Sequence, residues 1–328
     1  DLNAKAGQVI ANLTGAEAGL VTAGSAAGMV LEAAACMAGS DPAKVWRLPD
    51  TTGMKNEIIL HRAHRVNYDH NFRAAGATLV EIGNSGSTNE WELADAINEN
   101  TAAVAYIFGP RRGGALPLDK VVEIAHERDV PVIVDAAAML PPPENLTQFI
   151  EMGADLVSFS GGKGVLGPQS TGILAGRADL IEAAYANGAP NSDSIGRAAK
   201  VCKEEIAGIV TALEIFVDTD FDAVMSGWRD QCVLVIEALE DIPGLRVELS
   251  EARPEMLESM SNAPRAVIHF DQDWKGPSQE RILQMLEDGD PGVRVNSSGF
   301  EGEIAIIPVN LRPGEEVELA QRLREVLT

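Results

Sequence analysis

The chain has 328 residues, of which 45% are hydrophobic, and a formal net charge of −23 at pH 7. That length suffices for one large hydrophobic core and a smaller one, and no apolar run approaches the ~20 residues that a membrane span needs. The N-terminus lacks a signal-peptide pattern, and the acidic charge disfavours nucleic acid, which is bound mainly through Lys and Arg.

The three cysteines, Cys36, Cys202 and Cys232, are odd in number and far apart. This spacing predicts neither a disulfide framework nor a metal site, and it is typical of proteins in a reducing cytoplasm. We therefore expect a cytoplasmic protein without a bound metal.

The first half of the chain alternates short apolar runs with amphipathic segments. This alternation predicts a mostly parallel sheet with helices on both faces, an α/β fold. Apolar periodicity predicts helices at residues 2–13, 92–99, 118–128 and 179–185, with an Ala-rich helix ending near residue 37, and strands at residues 58–60, 78–82, 102–108 and 130–134.

Residues 19–29 (GLVTAGSAAGM) combine a strand end, a turn of small residues and a helix start. Backbone N–H groups and the helix dipole favour an anion there, so Gly24, Ser25 and Ala26 are predicted to cradle one. The alternatives are a dinucleotide-binding loop and an ordinary tight turn. The spacing is not GxGxxG and no acidic residue follows a second strand at the right place, which weakens the dinucleotide alternative.

Lys163 lies between two glycine-rich turns, after a predicted buried strand at residues 156–159 and before an apolar run at residues 173–175. Burial at the end of that strand would favour the neutral, nucleophilic form of its amine. The chemistry that fits is a Schiff base with pyridoxal 5′-phosphate (PLP). The alternative is a lysine in a surface loop.

Asp135 ends the predicted strand before that of Lys163. An acidic group beside the pyridine nitrogen of PLP keeps it protonated, and this charge makes the ring an electron sink. Alone, Asp135 would be a strand-end cap or a loop residue. Together with Lys163 it indicates PLP.

The chain resembles the fold-type I PLP enzymes, in the branch that contains L-seryl-tRNA selenium transferase (selenocysteine synthase) and the D-glucosaminate-6-phosphate ammonia-lyase-like proteins. The resemblance covers most of the chain up to about Phe221. It is specific for the cofactor and much less so for the substrate. It is carried by residues 134–138 (VDAAA), 159–169 (FSGGKGVLGPQ), 195–200 (IGRAAK) and 203–205 (KEE).

This resemblance implies roles for particular residues. Lys163, Asp135 and His64 are the implied catalytic residues, His64 as the group over the cofactor face with His61 as second choice. It also implies an active site built from two subunits, hence a homodimer or larger assembly, and an N-terminal arm that this sequence lacks. The implied cofactor-binding residues are Gly24, Ser25, Ala26, Asp135, Ala137, Ser160, Lys163 and Gln169.

Several arginines are candidate anion binders. Arg62 and Arg65 could bind a substrate carboxylate or phosphate, or be solvated. Residues 196–205 are predicted to open a helix that ends near residue 217, which would place Arg197, Lys200 and Lys203 on one face. That face would bind an anionic ligand or a partner subunit, or pair with nearby glutamates.

The sequence predicts a large PLP-binding domain at residues 1–217 and a small α+β domain at residues 218–328. Arg294 and Arg312 are candidate carboxylate clamps there, with solvated surface as the alternative. Helices are predicted at residues 227–239, 278–286 and 315–327, and strands at residues 247–249, 266–270 and 304–309.

The sequence thus predicts a PLP-dependent enzyme that acts at Cα and Cβ of a small amino acid or amino-sugar acid. The preferred reaction is α,β-elimination, in which Lys163 first holds PLP and then removes the Cα proton. One alternative is an amino-acid racemase or epimerase. Another is β-replacement as in the selenium transferase, which the acidic charge and the lacking N-terminal tRNA-binding extension disfavour. The last alternative is a non-catalytic scaffold protein, which the presence of Asp135 and Lys163 disfavours.

Overall fold

The computed structural model describes residues 2–108, 114–251, 263–297 and 302–328, except for the side chains of residues 296 and 297. The described residues up to Thr219 form one compact unit and those from Asp220 a second. None of the described helices combines the length and the apolar composition needed to cross a lipid bilayer.

A seven-stranded sheet lies at the centre of the described part of the first unit, in the order β1-β7-β6-β5-β4-β2-β3. The strands β2 to β6 pair in parallel, whereas β7 is antiparallel to both of its neighbours. The mostly parallel α/β sheet predicted from the sequence is confirmed. The strands are β1 (Ala18–Thr22), β2 (Glu57–His61), β3 (Thr78–Ile82), β4 (Thr101–Ile107), β5 (Val132–Asp135), β6 (Leu156–Ser160) and β7 (Gly172–Gly176).

The direction of β1 decides what meets at the carboxyl edge of this sheet. Because β7 is antiparallel to both β1 and β6, those two strands run the same way. The helix that follows β1 therefore begins at the edge where β4, β5 and β6 end, which is where open α/β sheets place their ligands.

The helices of the first unit cover the sheet. Buried apolar side chains of α2, such as Met29, pack in one core with Leu60, Ile133 and Leu156 of the strands. The described helices are α1 (Leu2–Thr14), α2 (Gly24–Ala38), α3 (Pro42–Arg47), α4 (His70–Ala74), α5 (Glu90–Ala96), α6 (Leu118–His126), α7 (Asn145–Glu151), α8 (Ala178–Ala186) and α9 (Lys203–Asp218).

Helix α9 begins at Lys203, so the prediction that it opens at residue 196 is wrong. The Glu205 carboxylate accepts a hydrogen bond from the backbone N–H of Cys202 (2.8 Å), which fixes the start of the helix. The preceding segment instead turns back, with the Gly196 N–H donating to the Asn187 carbonyl (2.9 Å). Arg197 and Lys200 therefore do not share a helical face with Lys203.

The second unit is the α+β fold that the sequence predicts. Its described strands form an antiparallel sheet in the order β10-β11-β9-β8, packed on helices through a core that includes Ile268, Ile282, Ile304 and Leu323. Its elements are α10 (Phe221–Glu237), β8 (Leu245–Ser250), β9 (Arg265–Phe270), α11 (Gln279–Glu287), β10 (Asn296–Ser297), β11 (Glu303–Ile306) and α12 (Glu315–Leu327).

The two arginines predicted as carboxylate clamps lie in this second unit. Arg294 lines a cavity of about 550 Å³ there, and its guanidinium is paired with Glu287 (2.5 Å). Arg312 is exposed. The ion pair of Arg294 favours the solvated-surface alternative for that residue.

Candidate active site

A cavity of about 530 Å³ opens at the carboxyl edge of the first unit's sheet. The start of α2, the ends of β4, β5 and β6, and the turns after them form its walls. All of the residues predicted to bind the cofactor line it, namely Gly24, Ser25, Ala26, Asp135, Ala137, Ser160, Lys163 and Gln169.

The start of α2 forms one wall of the cavity. Ala23, its N-cap residue, has no side-chain acceptor, so the first N–H groups of the helix lack a side-chain cap. Gly24 has a φ of +76°, a conformation that suits glycine, and its carbonyl accepts a hydrogen bond from Thr22 Oγ1 (2.9 Å). Uncapped N–H groups at a helix start can bind a phosphate.

Asp135 lies at the end of β5 and only 6% of its surface is exposed. Its Oδ1 accepts a hydrogen bond from the Ala137 N–H (3.0 Å). Burial raises the pKa of this carboxyl, whereas the Ala137 N–H and the charge of Lys163 act in the opposite direction. Asp135 and Lys163 are thus electrostatic neighbours in one cavity.

Lys163 lies in a turn that extends beyond the end of β6. The turn is held by the Leu166 N–H donating to the Lys163 carbonyl (2.9 Å) and the Gly167 N–H donating to the Gly161 carbonyl (2.8 Å). The side chain of Lys163 is exposed at the open cavity, so the prediction that it is buried is wrong. An amine in this position is accessible to an incoming carbonyl compound.

These groups fit the parts of PLP. The α2 start can bind a phosphate, Lys163 can bind an aldehyde covalently, and Asp135 can hold a proton on a ring nitrogen. The fit rests on the uncapped helix start and on the buried carboxyl beside the lysine.

The two histidines predicted to lie over the cofactor are buried outside the cavity lining. The ring centroid of His64 lies 4.4 Å from that of Tyr106, and His61 Nε2 accepts a hydrogen bond from the Leu116 N–H (3.2 Å). Their aromatic packing removes them from the cavity, which corrects the prediction for His64. Asn67 and Tyr68, a few residues later, line the cavity instead.

Asn67 and Tyr68 are thus residues that the sequence analysis missed. Tyr68 is 60% exposed, which is unusual for a large aromatic side chain. The sequence pattern that could have identified them is their position after β2, in a segment that already drew attention for its histidines.

The arginines predicted to bind substrate are not brought together at this cavity. Arg62 pairs with Glu81 (2.9 Å), and Arg65 pairs with both Glu81 and Asp69. Arg197 is exposed in the turn before α9. None of the three lines the cavity. The sequence also predicts a ligand-binding loop directly after the strand at residues 102–108, and residues 109–113 of that loop lie outside the described residues.

The buried His61 predicts a pH dependence of stability. Burial lowers its pKa to about 4, against an ordinary value near 6.5. A neutral His61 therefore stabilises the fold fully above about pH 6.5, and this stabilisation is lost as the pH falls toward 4. Urea unfolding should show that the free energy of unfolding falls by about 2 kcal/mol from pH 7.5 to pH 5. His61→Gln should abolish this fall. His70→Gln, at an exposed histidine, is the control variant. An equal loss of unfolding free energy between pH 7.5 and pH 5 in wild type and in His61→Gln would contradict the expectation.

Comparisons with known proteins give the same cofactor. The family model described as SelA, L-seryl-tRNA selenium transferase, matches residues 3–225. A solved structure of D-glucosaminate-6-phosphate ammonia-lyase superposes with a TM-score of 0.84 at 30% identity, covering 99% of this chain and 85% of that one. A PLP-dependent protein from Escherichia coli, YhfS, shares the fold at 16% identity with a TM-score of 0.65, covering 99% of this chain and 85% of that one.

Two curated relatives span nearly the whole chain. A 5′-C-glycyluridine monooxygenase-decarboxylase from a Streptomyces species is 31% identical over 98% of this chain and 79% of its own length. The D-glucosaminate-6-phosphate ammonia lyase of Salmonella typhimurium is 30% identical over 98% of this chain and 84% of its own. The chain therefore belongs to the L-seryl-tRNA selenium transferase family and is a fold-type I enzyme whose cofactor is pyridoxal 5′-phosphate.

Proposed function

We propose that this enzyme is a lyase that removes the α-proton and a β-hydroxyl from a small hydroxy-amino acid or amino-sugar acid. Loss of water from the substrate and hydrolysis of the resulting enamine yield a keto acid and ammonia. The observation that carries the proposal is the meeting of Lys163, Asp135 and the α2 start at one cavity. The 30% identity to an ammonia lyase across nearly the whole chain supports it.

Lys163 has two tasks in this proposal. When bound, PLP supplies an electron-withdrawing ring that stabilises negative charge at the substrate Cα. Lys163 Nζ would hold the cofactor aldehyde, and its amine, once free, would remove the Cα proton. The exposure of Lys163 at the open cavity suits both tasks.

Asp135 and the start of α2 position the cofactor. Asp135 keeps a proton on the ring nitrogen, and its buried environment shields that contact from water. The N–H groups at Gly24, Ser25 and Ala26 bind the phosphate. Ser160 and Gln169 are further polar contacts at the same cavity.

The close contact of β7 with the start of α2 gives a test of the phosphate site. A Cβ on Gly172 would lie 2.4 Å from the Gly24 carbonyl carbon and 2.6 Å from Thr22 Oγ1, so Gly172→Ala must displace the backbone of the cradle. We expect the affinity for PLP to fall by roughly tenfold or more, the scale of one lost charge-assisted hydrogen bond. Fluorescence titration of the apoprotein with PLP measures it.

Gly227 provides the matched control for that substitution. Apart from its chain neighbours and the backbone of its own helix, no atom of the described residues lies within 4 Å of the position that its Cβ would take, so Gly227→Ala should leave PLP affinity unchanged. If Gly172→Ala bound PLP as tightly as wild type, the phosphate would have to lie elsewhere in the cavity.

The substrate class is tested with a panel of D- and L-hydroxy-amino acids and amino-sugar phosphates. The expected result is a change in the absorbance of the bound cofactor followed by equal amounts of ammonia and keto acid. Solvent deuterium at Cα without ammonia would instead indicate a racemase or epimerase. No absorbance change with any amino compound would contradict the proposed function.

A second candidate function is oxidative decarboxylation of an α-amino acid. The 31% identity to the monooxygenase-decarboxylase over 98% of this chain favours it. Lys163 and Asp135 would have the same roles, but the bond broken at Cα would be the bond to the carboxylate carbon. Release of CO2 with consumption of O2 would identify this reaction, whereas elimination consumes no O2.

β-Replacement on seryl-tRNA is the less supported transferase alternative. Six relatives named L-seryl-tRNA(Sec) selenium transferase align with 53% to 65% of this chain. The net charge of −23 also opposes tRNA binding.

The enzyme is also proposed to act as a cytoplasmic homodimer or larger homo-oligomer. The three cysteines are free thiols, as expected in a reducing compartment. Strongly exposed apolar side chains of the first unit include Trp46 (70%), Trp91 (66%), Leu166 close to Lys163 (73%) and Ile215 on α9 (63%). Exposed apolar surface that forms a patch marks subunit contacts. Sedimentation of wild type and Leu166→Asp tests this, with a smaller assembly expected for the variant.

A further inference from the structure

Glu32 is a charged residue that no step above uses. It is the only charged side chain in α2, and none of its surface is exposed. It lies two helical turns after the cradle at the start of the helix. A carboxyl group buried in an apolar helix is costly unless it is neutral or has partners.

Two residues that act on Glu32 belong to the sheet, Asp135 on β5 and Ser158 on β6. Asp135 and Ser158 are aligned on these neighbouring strands and so share a face of the sheet. Helix α2 packs closely there, since a Cβ on Gly28 would lie 3.3 Å from Ser158 Cβ. Glu32 follows Gly28 by one turn, and the negative charge of Asp135 and the hydroxyl of Ser158 both act on it.

Glu32 lacks the partners that would stabilise a charge. Neither of its carboxyl oxygens, nor Ser158 Oγ, has a hydrogen bond of normal geometry in the structure. Among the described residues, no Lys, Arg or His makes an ion pair with it. Cys36 lies one turn further along α2, where it is partly buried, and burial raises the pKa of its thiol above the ordinary value.

The two buried carboxyls differ in what surrounds them. Burial and the charge of Asp135 raise the pKa of Glu32 well above its ordinary value. Asp135 has the Ala137 N–H and the cation of Lys163 to stabilise its charge. Two close carboxyls in a low-dielectric site do not both ionise, so the proton resides where stabilisation is least.

We propose that Glu32 is a positioning residue that carries the single proton of a Glu32–Asp135 pair and so keeps Asp135 ionised against the ring nitrogen of PLP. Protonated Glu32 has an O–H that can donate to Asp135 or to Ser158 Oγ, the two groups that act on its carboxyl. The proposal rests on the proposed role of Asp135 and names a residue that acts through it.

The location of the proton is tested by infrared difference spectra of the full-length holoenzyme. A protonated carboxylic acid has a carbonyl stretch separate from that of a carboxylate. We expect a buried-acid band at neutral pH that Glu32→Gln removes and Asp135→Asn retains. A band removed by Asp135→Asn and retained by Glu32→Gln, or no such band in wild type, would overturn the proposal. The same spectra of the apoprotein keep this result independent of catalysis.

The coupling to the cofactor is tested with PLP labelled with ¹⁵N in the ring. Glu32→Gln keeps a neutral donor and should retain the wild-type nitrogen shift and its pH dependence. Glu32→Leu removes the donor, so Asp135 becomes more basic and holds the ring proton more tightly, by roughly tenfold. In an Asp135→Asn background Glu32→Leu should add nothing.

A purely structural role for Glu32 would give a different result. Glu32→Leu would then change thermal stability but leave the proton affinity of the ring nitrogen at the wild-type value, which would overturn the proposal. If Glu32→Leu fails to fold, Glu32→Met makes the same comparison, and the infrared test needs neither variant. An infrared result as expected together with no turnover of any amino compound would refute the proposed function alone.

Discussion

Lys163→Ala is expected to abolish covalent cofactor attachment and to lower turnover by about 10³-fold or more, the scale on which a positioned general base contributes. The substitution removes the single amine that is proposed both to bind the aldehyde and to take the Cα proton. Borohydride treatment of the wild-type holoenzyme should fix the cofactor onto Lys163, which peptide mass mapping would show. The variant should show no modified peptide.

Lys120→Ala is the control for this substitution. Lys120 is a lysine of the same unit whose ammonium pairs with Glu123 on the surface of α6 (2.6 Å), so its loss should leave cofactor attachment intact. Retention of the holoenzyme absorbance and activity in Lys163→Ala would refute the assignment of the catalytic lysine and with it the proposed lyase.

Much of this fold can be predicted from the sequence because its strands are short, apolar and bounded by polar or glycine-rich turns. Residues 78–82 and 315–327 have the predicted bounds, and most other elements differ by a few residues at their ends. Asp135 and Lys163 were identifiable because consecutive parallel strands end at one edge, so residues that follow them must meet. This topological rule requires no side-chain detail.

What could not be predicted depends on packing rather than on pattern. His61 ends β2 and His64 lies in the turn after it, and only the structure shows that both pack around Tyr106 while Tyr68 reaches the cavity. Arg62 and Arg65 resemble anion binders in sequence, but they pair with Glu81 of β3, a contact set by the pairing of parallel strands. The approach of Glu32 to Asp135 likewise depends on how α2 packs on the sheet.

Asp135→Asn is the second substitution with a large expected effect. Asparagine preserves the shape of the side chain and can still accept the hydrogen bond from the Ala137 N–H. It has no charge to hold a proton on the ring nitrogen, so the ring withdraws electrons less well from Cα. We expect turnover to fall on the order of 10²-fold or more, the scale for the loss of one preorganised electrostatic contact. Steady-state rates measured at saturating PLP separate this effect from weaker cofactor binding.

The stability of the Asp135→Asn apoprotein should distinguish a functional charge from a structural one. The Asp135 charge is buried next to Glu32, and burial acts against its ionisation. Removing that charge should therefore leave the melting temperature of the apoprotein unchanged or raise it, while activity falls. A fall in stability that paralleled the loss of activity would show instead that Asp135 serves the fold. Stability is commonly given up at a catalytic site for a charge that the reaction needs, and the opposite responses of melting temperature and turnover would identify Asp135 as such a charge.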